Sequence, residues 1–270
     1  MKTTLLKTLT PELHLIRQND IPILYLKHTV GTAKIALQGA QLISWQPKNA
    51  DKDILWLSEI EPFQSGVAIR GGVPICYPWF GSVKQPVHGT ARIRLWQLSH
   101  YDISAQKVRL ELELFSELNI IEAKVKMIFA DTCHITFTHY GEEPAQAALH
   151  SYFNVGDIGQ VEVVNLPTVC FNSLTKRQEN VPSPRKINEN VDCIYAAEKM
   201  RNQIIDKAFN RRIELHHHNA SQIVLWNPWH KETSAMSKQA YRYMICLETA
   251  RINRLLEFGE SISVEIAVTG

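Results

Sequence analysis

The sequence predicts an all-β protein, a large antiparallel β-sandwich, and three observations carry that prediction. Apolar and polar residues alternate with a period of two through residues 108–114, 123–129 and 262–268. Clusters of turn-forming residues separate such runs, while helical periodicity is scarce. No linker, composition break or internal repeat divides the chain, so residues 1–270 read as one domain.

Taken in order, the first strands are expected at residues 23–27, 34–37 and 42–45. Gln18-Asn-Asp20 turns before them and Pro47-Lys-Asn-Ala-Asp51 after them. Val108, Leu110, Leu112 and Leu114 then alternate with Arg109, Glu111 and Glu113, which puts one face in a core and the other in water. Ala123, Val125, Met127 and Phe129 repeat the pattern. Gly141-Glu-Glu-Pro144 turns the chain into residues 147–158, which read as a strand with His150 near its middle. Later strands fall at residues 161–164, 212–215, 222–226 and 243–248, with a turn at His218-Asn-Ala-Ser221. Residues 171–190, polar and with two prolines, read as a long loop. Residues 196–209 fit a helix poorly, and Ile204-Ile205-Asp206 fits a short strand equally well.

Composition narrows the function classes. Hydrophobic residues make up 45% and charged residues 21%, enough for a substantial core. Lys and Arg total 29 against 27 Asp and Glu, a net charge of +2 that gives no footprint for nucleic acid or an anionic membrane. No run approaches the roughly 18 apolar residues of a membrane-spanning helix. The first ten residues have no apolar core of a signal peptide. The five cysteines are scattered, without a Cys-x-x-Cys pair, which argues against a disulfide framework or zinc site and for the cytoplasm. His216-His217-His218 invites a metal reading, but strand neighbours face opposite ways and three in a row cannot converge on one ion. An exposed hairpin end is expected there, and no metal site.

Several residues have types suited to chemistry. An imidazole titrates near neutrality, so His150 can give or take a proton with little tuning, although a lone strand histidine is more often structural. Glu248 ends the apolar run Tyr243-Met-Ile-Cys-Leu247, where desolvation should raise its pKa and strengthen it as a base. Arg70 precedes Gly71-Gly72, where the backbone has freedom to let a ligand approach. Arg92 ends His88-Gly-Thr-Ala-Arg92, and guanidinium groups grip phosphate through planar paired bonds, or simply serve surface salt bridges. His88 reads equally as a donor to a ligand or as a brace for the Arg92 loop. Asp192 is suited to accept bonds from hydroxyls. Trp79, Phe80, Trp226 and Trp229 have either a ligand-stacking or, more commonly, a core role.

The stretch Leu149-His-Ser-Tyr-Phe-Asn-Val-Gly-Asp-Ile158 resembles the catalytic-histidine strand of the D-hexose-6-phosphate mutarotases, a branch of the aldose 1-epimerase superfamily. Three other stretches match in order: Ala68-Ile-Arg-Gly-Gly-Val-Pro-Ile-Cys-Tyr-Pro-Trp-Phe-Gly81, His88-Gly-Thr-Ala-Arg92 and Cys246-Leu-Glu-Thr-Ala250. The resemblance implies a galactose-mutarotase-like sandwich that interconverts sugar anomers without a cofactor. It makes His150 the acid and Glu248 the base, held on opposite sides of the hemiacetal. It also makes Arg70, His88, Arg92 and Asp192 substrate contacts, with a hexose 6-phosphate as the small-molecule partner. This chain departs from its relatives at Val87, which offers no polar side chain, at Thr90, and in Asp192-Cys-Ile-Tyr195. Two other classes compete. A sandwich that binds sugar phosphates without catalysis needs no acid–base pair. A glycoside hydrolase usually needs two carboxylates flanking the bond, where the resemblance offers one.

Overall fold

The structure, a computed structural model, describes residues 2–270. Its strands form three antiparallel sheets. The first is a meander of Thr3–Thr8, Leu13–Gln18, Ile21–His28, Gly31–Ala36 and Gln41–Pro47. The second has nine strands, in the spatial order Arg185–Lys186, Val161–Val164, Arg201–Asp206, Arg211–His218, Ser261–Thr269, Cys133–His139, Ile121–Phe129, Lys107–Phe115 and Gln97–Ser104. The third runs Arg177–Asn180, Val169–Asn172, Val191–Ala196, Gln222–Asn227, Met244–Leu256, Ala145–Leu149 and Ile75–Cys76, and Tyr152–Asn154 also pairs with Met244–Leu256.

The sheets pack because alternation gives each strand one apolar face. Leu110, Leu112, Ile135, Phe137, Ile262 and Val264 from the second sheet meet Leu149, Phe153, Ile223, Leu225, Ile245 and Leu247 from the third in one continuous core. Leu24, Ile35 and Trp45 of the first sheet join the same core. Each such side chain, buried, is worth roughly 1.5–3 kcal/mol, so two-sheet burial is the main term holding the layers together. The five cysteines are all free and buried. Among the described residues no helix is long and apolar enough to cross a membrane.

Two expectations change, and one open reading is settled as a strand. Residues 171–190 are not a long loop: Val169–Asn172 and Arg177–Asn180 form a hairpin, and Arg185–Lys186 adds a short strand. Val169–Asn172 pairs on both sides and is apolar on both faces, with Cys170 buried and Val169 and Phe171 exposed, whereas Arg177–Asn180 and Arg185–Lys186 are polar edge strands, so none of the three carries a period-two signal. The segment around residue 204 is the strand Arg201–Asp206. His217 is fully buried rather than part of an exposed hairpin end, and its Nδ1 lies 2.7 Å from Thr249 Oγ1.

Candidate active site

The third sheet has two faces, and its register decides what each carries. Leu149 lies opposite Thr249 and Tyr152 opposite Cys246, so the register places His150 across from Glu248. The backbone does not run as one regular strand here. His150 donates its N–H to Pro74 O at 2.9 Å and Tyr152 donates to Gly72 O at 2.8 Å, while Leu247 donates to Ser151 O at 3.2 Å. The expected single strand is therefore two, Ala145–Leu149 and Tyr152–Asn154, broken at His150-Ser151 without loss of register. Alternation sends Leu149, Phe153, Leu247 and Ile245 into the core. It sends His150, Tyr152, Cys246 and Glu248 to the other face, together with Trp226 and Asp192 from the adjoining strands.

On that face His150 Nε2 stands 3.3 Å from Glu248 Oε1. The pair is nearly closed off from solvent, with His150 8% and Glu248 1% exposed. Burial raises the Glu248 carboxyl well above the usual carboxylate range, and the negative charge of Asp192 adds to it. Burial likewise lowers His150 well below its ordinary value, assisted by His88 and the positive charges of Arg70 and Arg92. The two groups therefore titrate as a coupled pair, and the form with one proton between them is the one in which one partner can donate while the other accepts. Glu248 Oε2, His150 Nδ1 and Arg92 Nε are buried without a hydrogen-bond partner. Such groups are costly in a folded protein, and a polar ligand would satisfy them.

The flanking residues are held tightly. The Tyr152 ring stacks on His150, 4.8 Å between centroids and 11° between planes, and Trp226 meets both rings edge-on. Tyr152 Oη accepts from Arg70 Nη1 at 3.0 Å, and Arg70 Nε donates to Ser234 O at 3.1 Å. The Arg70 backbone N–H is pinned on Glu61 Oε2 at 2.7 Å. Gly71 and Gly72 have positive φ, and a Cβ on Gly72 would stand 2.2 Å from Leu42 O. The close approach that these glycines permit is thus by the protein's own backbone, not by a ligand as expected. It lets the segment cross behind the site and present Arg70.

Arg92 lies on a single 3-10 turn, Ala91–Ile93, and donates from Nη2 to Val87 O at 2.6 Å. Val87 thus serves through its carbonyl. His88 adopts a left-handed φ of 65°. Its Nδ1 accepts from Gly81 N–H at 3.1 Å, which braces the loop, while its ring meets the edge of His150 at 5.6 Å. Burial, then Arg92 and Arg70, lower His88 to about 4, so it is neutral at pH 7. With Nδ1 accepting, the remaining proton sits on Nε2 as a donor. Both readings of His88 are therefore compatible with its surroundings. Cys246 also faces the site, but burial pushes its thiol well up and leaves it a poor nucleophile.

His150, Glu248, Arg70, His88, Arg92 and Asp192 thus gather in one region of one sheet face. Trp79 and Trp229 do not join the His150 cluster: Trp79 bonds Pro86 O, and Trp229 packs on Tyr241. Phe80 packs with Val224 and Ala250 beside the pair. Tyr152 and the Ser234 carbonyl were not singled out from sequence. The i+2 spacing from His150 could have found Tyr152, whereas nothing local marks Ser234.

Comparison with known proteins agrees with this architecture. The pattern of the family described as aldose 1-epimerase matches residues 22–269. A Haemophilus influenzae protein provisionally named glucose-6-phosphate 1-epimerase is 72% identical, covering 100% of this chain and 100% of its own. One crystal structure, of a protein 76% identical, superposes with a TM-score of 0.99 over 100% of both chains. That of a Salmonella typhimurium protein provisionally named a mutarotase does so with 0.92 at 32% identity, covering 98% of this chain and 96% of that one.

Proposed function

The chain belongs to the aldose 1-epimerase family, and from that premise we propose that it interconverts the α and β anomers of hexose 6-phosphates, glucose 6-phosphate first. The observation that carries the reading is the His150–Glu248 pair, 3.3 Å apart and nearly buried, with Arg70 and Arg92 close enough to act on its charge. The whole chain, residues 1–270, acts as one unit in the cytoplasm, a compartment that suits five free thiols and a phosphorylated sugar.

The chemistry follows from the pair's shared proton. Glu248 takes the proton of the anomeric hydroxyl while His150 protonates the ring oxygen. The C1–O5 bond breaks to give the open-chain aldehyde, C1 rotates about its bond to C2, and reclosure on the other face returns both protons. The two oxygens share one carbon, so a side-by-side acid and base can reach both, and flanking the ring from opposite sides is not required. Burial favours the resting proton on Glu248. Substrate shifts it, because a hydroxyl donating to Glu248 favours the carboxylate and a ring oxygen accepting from His150 favours the imidazolium. Such a positioned pair supplies roughly two to four decades of rate.

Arg70, held by Tyr152 and Ser234, and Arg92, held by Val87, grip the 6-phosphate; His88 and Asp192 contact the hydroxyls. The test is exchange NMR of α/β interconversion for glucose 6-phosphate and for glucose. Strong acceleration for the phosphate and weak acceleration for glucose supports the reading. No acceleration of either over buffer would leave the non-catalytic binding protein standing.

A further inference from the structure

The second sheet carries a cluster that the reaction does not use. On strand Arg211–His218 alternation buries His217 and turns His216 and His218 to the outer face, side by side. Their ring centroids are 4.0 Å apart. The register sets Glu265 of the neighbouring strand directly across from His216, and His134 of the next strand across from Glu265. The His134 ring lies 5.8 Å from that of His218, and its Nε2 is buried with no hydrogen-bond partner.

We propose that His216, His218 and Glu265 form a binding site for a divalent transition-metal ion of the zinc class, with His134 as the fourth donor. One ligand atom from each of the first three already lies within 4.8 Å of the others. A tetrahedral ion with bonds of about 2.0–2.1 Å needs ligand atoms about 3.4 Å apart. Closing that gap takes side-chain rotation in residues that are half-exposed, with no movement of the strands. Two or three imidazoles with one carboxylate suit zinc, nickel or copper and suit magnesium or calcium poorly. Arg201 lies across from His216 on the other side and Lys126 acts on His134, and Glu265, with Glu214 two residues before His216 on the same face, offsets that positive charge. The run of three histidines cannot converge, as strand geometry requires. Its alternate members and a carboxylate one strand away do.

The cluster spans three strands of the nine-stranded sheet, so a bound ion would clamp them together and stabilise the fold. The experiment uses the full chain without an affinity tag, titrated with Zn²⁺ at fixed pH by calorimetry and followed by thermal melting. Wild type is expected to bind one ion and to melt at higher temperature with Zn²⁺. His218→Ala and Glu265→Gln should each weaken binding at least about ten-fold and abolish the rise in Tm, since even second-shell losses cost ten- to a hundred-fold. His100→Ala, an exposed histidine on another strand, should bind as wild type does. Melting of the apo variants checks that they fold, and having two independent variants keeps the test decisive if one does not. No binding by wild type, binding that survives both variants, or loss of binding on His88→Ala instead would each overturn the proposal.

Discussion

Replacing Arg70 by alanine separates recognition of the phosphate from catalysis at C1. Arg70 spends one N–H on Tyr152 Oη and one on Ser234 O, which fixes its guanidinium plane and leaves its other donors for ligand. A charge-assisted bond is worth about 1.5–3 kcal/mol, so its loss should weaken binding by roughly one to two decades. The phosphate is remote from the reacting C1–O5 edge, and the contact is similar in ground and transition states. The loss should therefore fall mainly on KM, with kcat less affected through the weaker influence of the Arg70 charge on His150. Arg70→Lys should not restore it, because one ammonium cannot hold both Tyr152 and Ser234 and still present a planar fork. The assay is kcat and KM for glucose 6-phosphate and glucose at fixed ionic strength. Equal losses for the two sugars would refute the argument and assign Arg70 to the sugar ring or to the fold.

Three further outcomes are expected. Tyr152→Phe keeps the ring stacked on His150 but removes the acceptor for Arg70. KM should then rise by a factor of several, for about 1 kcal/mol, with kcat nearly unchanged. Tyr152→Ala should lower kcat as well, and equal kcat losses in the two variants would contradict the separate roles of ring and hydroxyl. The profile of kcat/KM against pH should be bell-shaped. Because His150 is lowered and Glu248 raised, acidification adds a second proton and removes the base, whereas alkalinity strips the single proton and removes the acid. The two limbs belong to the pair rather than to either residue, and a flat profile between pH 5 and 9 would count against a shared proton. Gly72→Ala, at φ +62° with its Cβ 2.2 Å from Leu42 O, should cost at least about 1–3 kcal/mol. An unchanged Tm would show that the backbone crossing does not need glycine.

Much of this was legible where one face of a strand is wet and the other dry. Residues 107–115 and 121–129 carry their burial in their alternation, and both are strands as expected. Strand Thr3–Thr8 is exposed along its whole length, so no face of it is marked. The hairpin at residues 169–180 was hidden for a related reason, since Val169–Asn172 is apolar on both faces and Arg177–Asn180 polar on both, so neither strand alternates and backbone pairing alone announces them. For the site, His150 and Glu248 have suitable types, but only sheet register makes them neighbours. Register is set by long-range pairing, which no local pattern contains. The glycines at 71 and 72 were visible as special, yet the chain that they admit comes from residues 42 and 56 and could not be read locally. The same limit hid the outer-face cluster, because Glu265 and His216 become adjacent only through pairing.

The central claim is that His150 and Glu248 exchange protons with the sugar, and single-residue variants test it most directly. His150→Asn and Glu248→Gln each remove proton transfer while keeping size and hydrogen bonding. Exchange NMR of glucose 6-phosphate gives the interconversion rate for wild type and each variant, with thermal melting to confirm that each folds. Each variant should lose roughly two to four decades in kcat while KM changes little. Near-wild-type turnover in either folded variant would contradict the account, because that residue would then have no part in moving the proton.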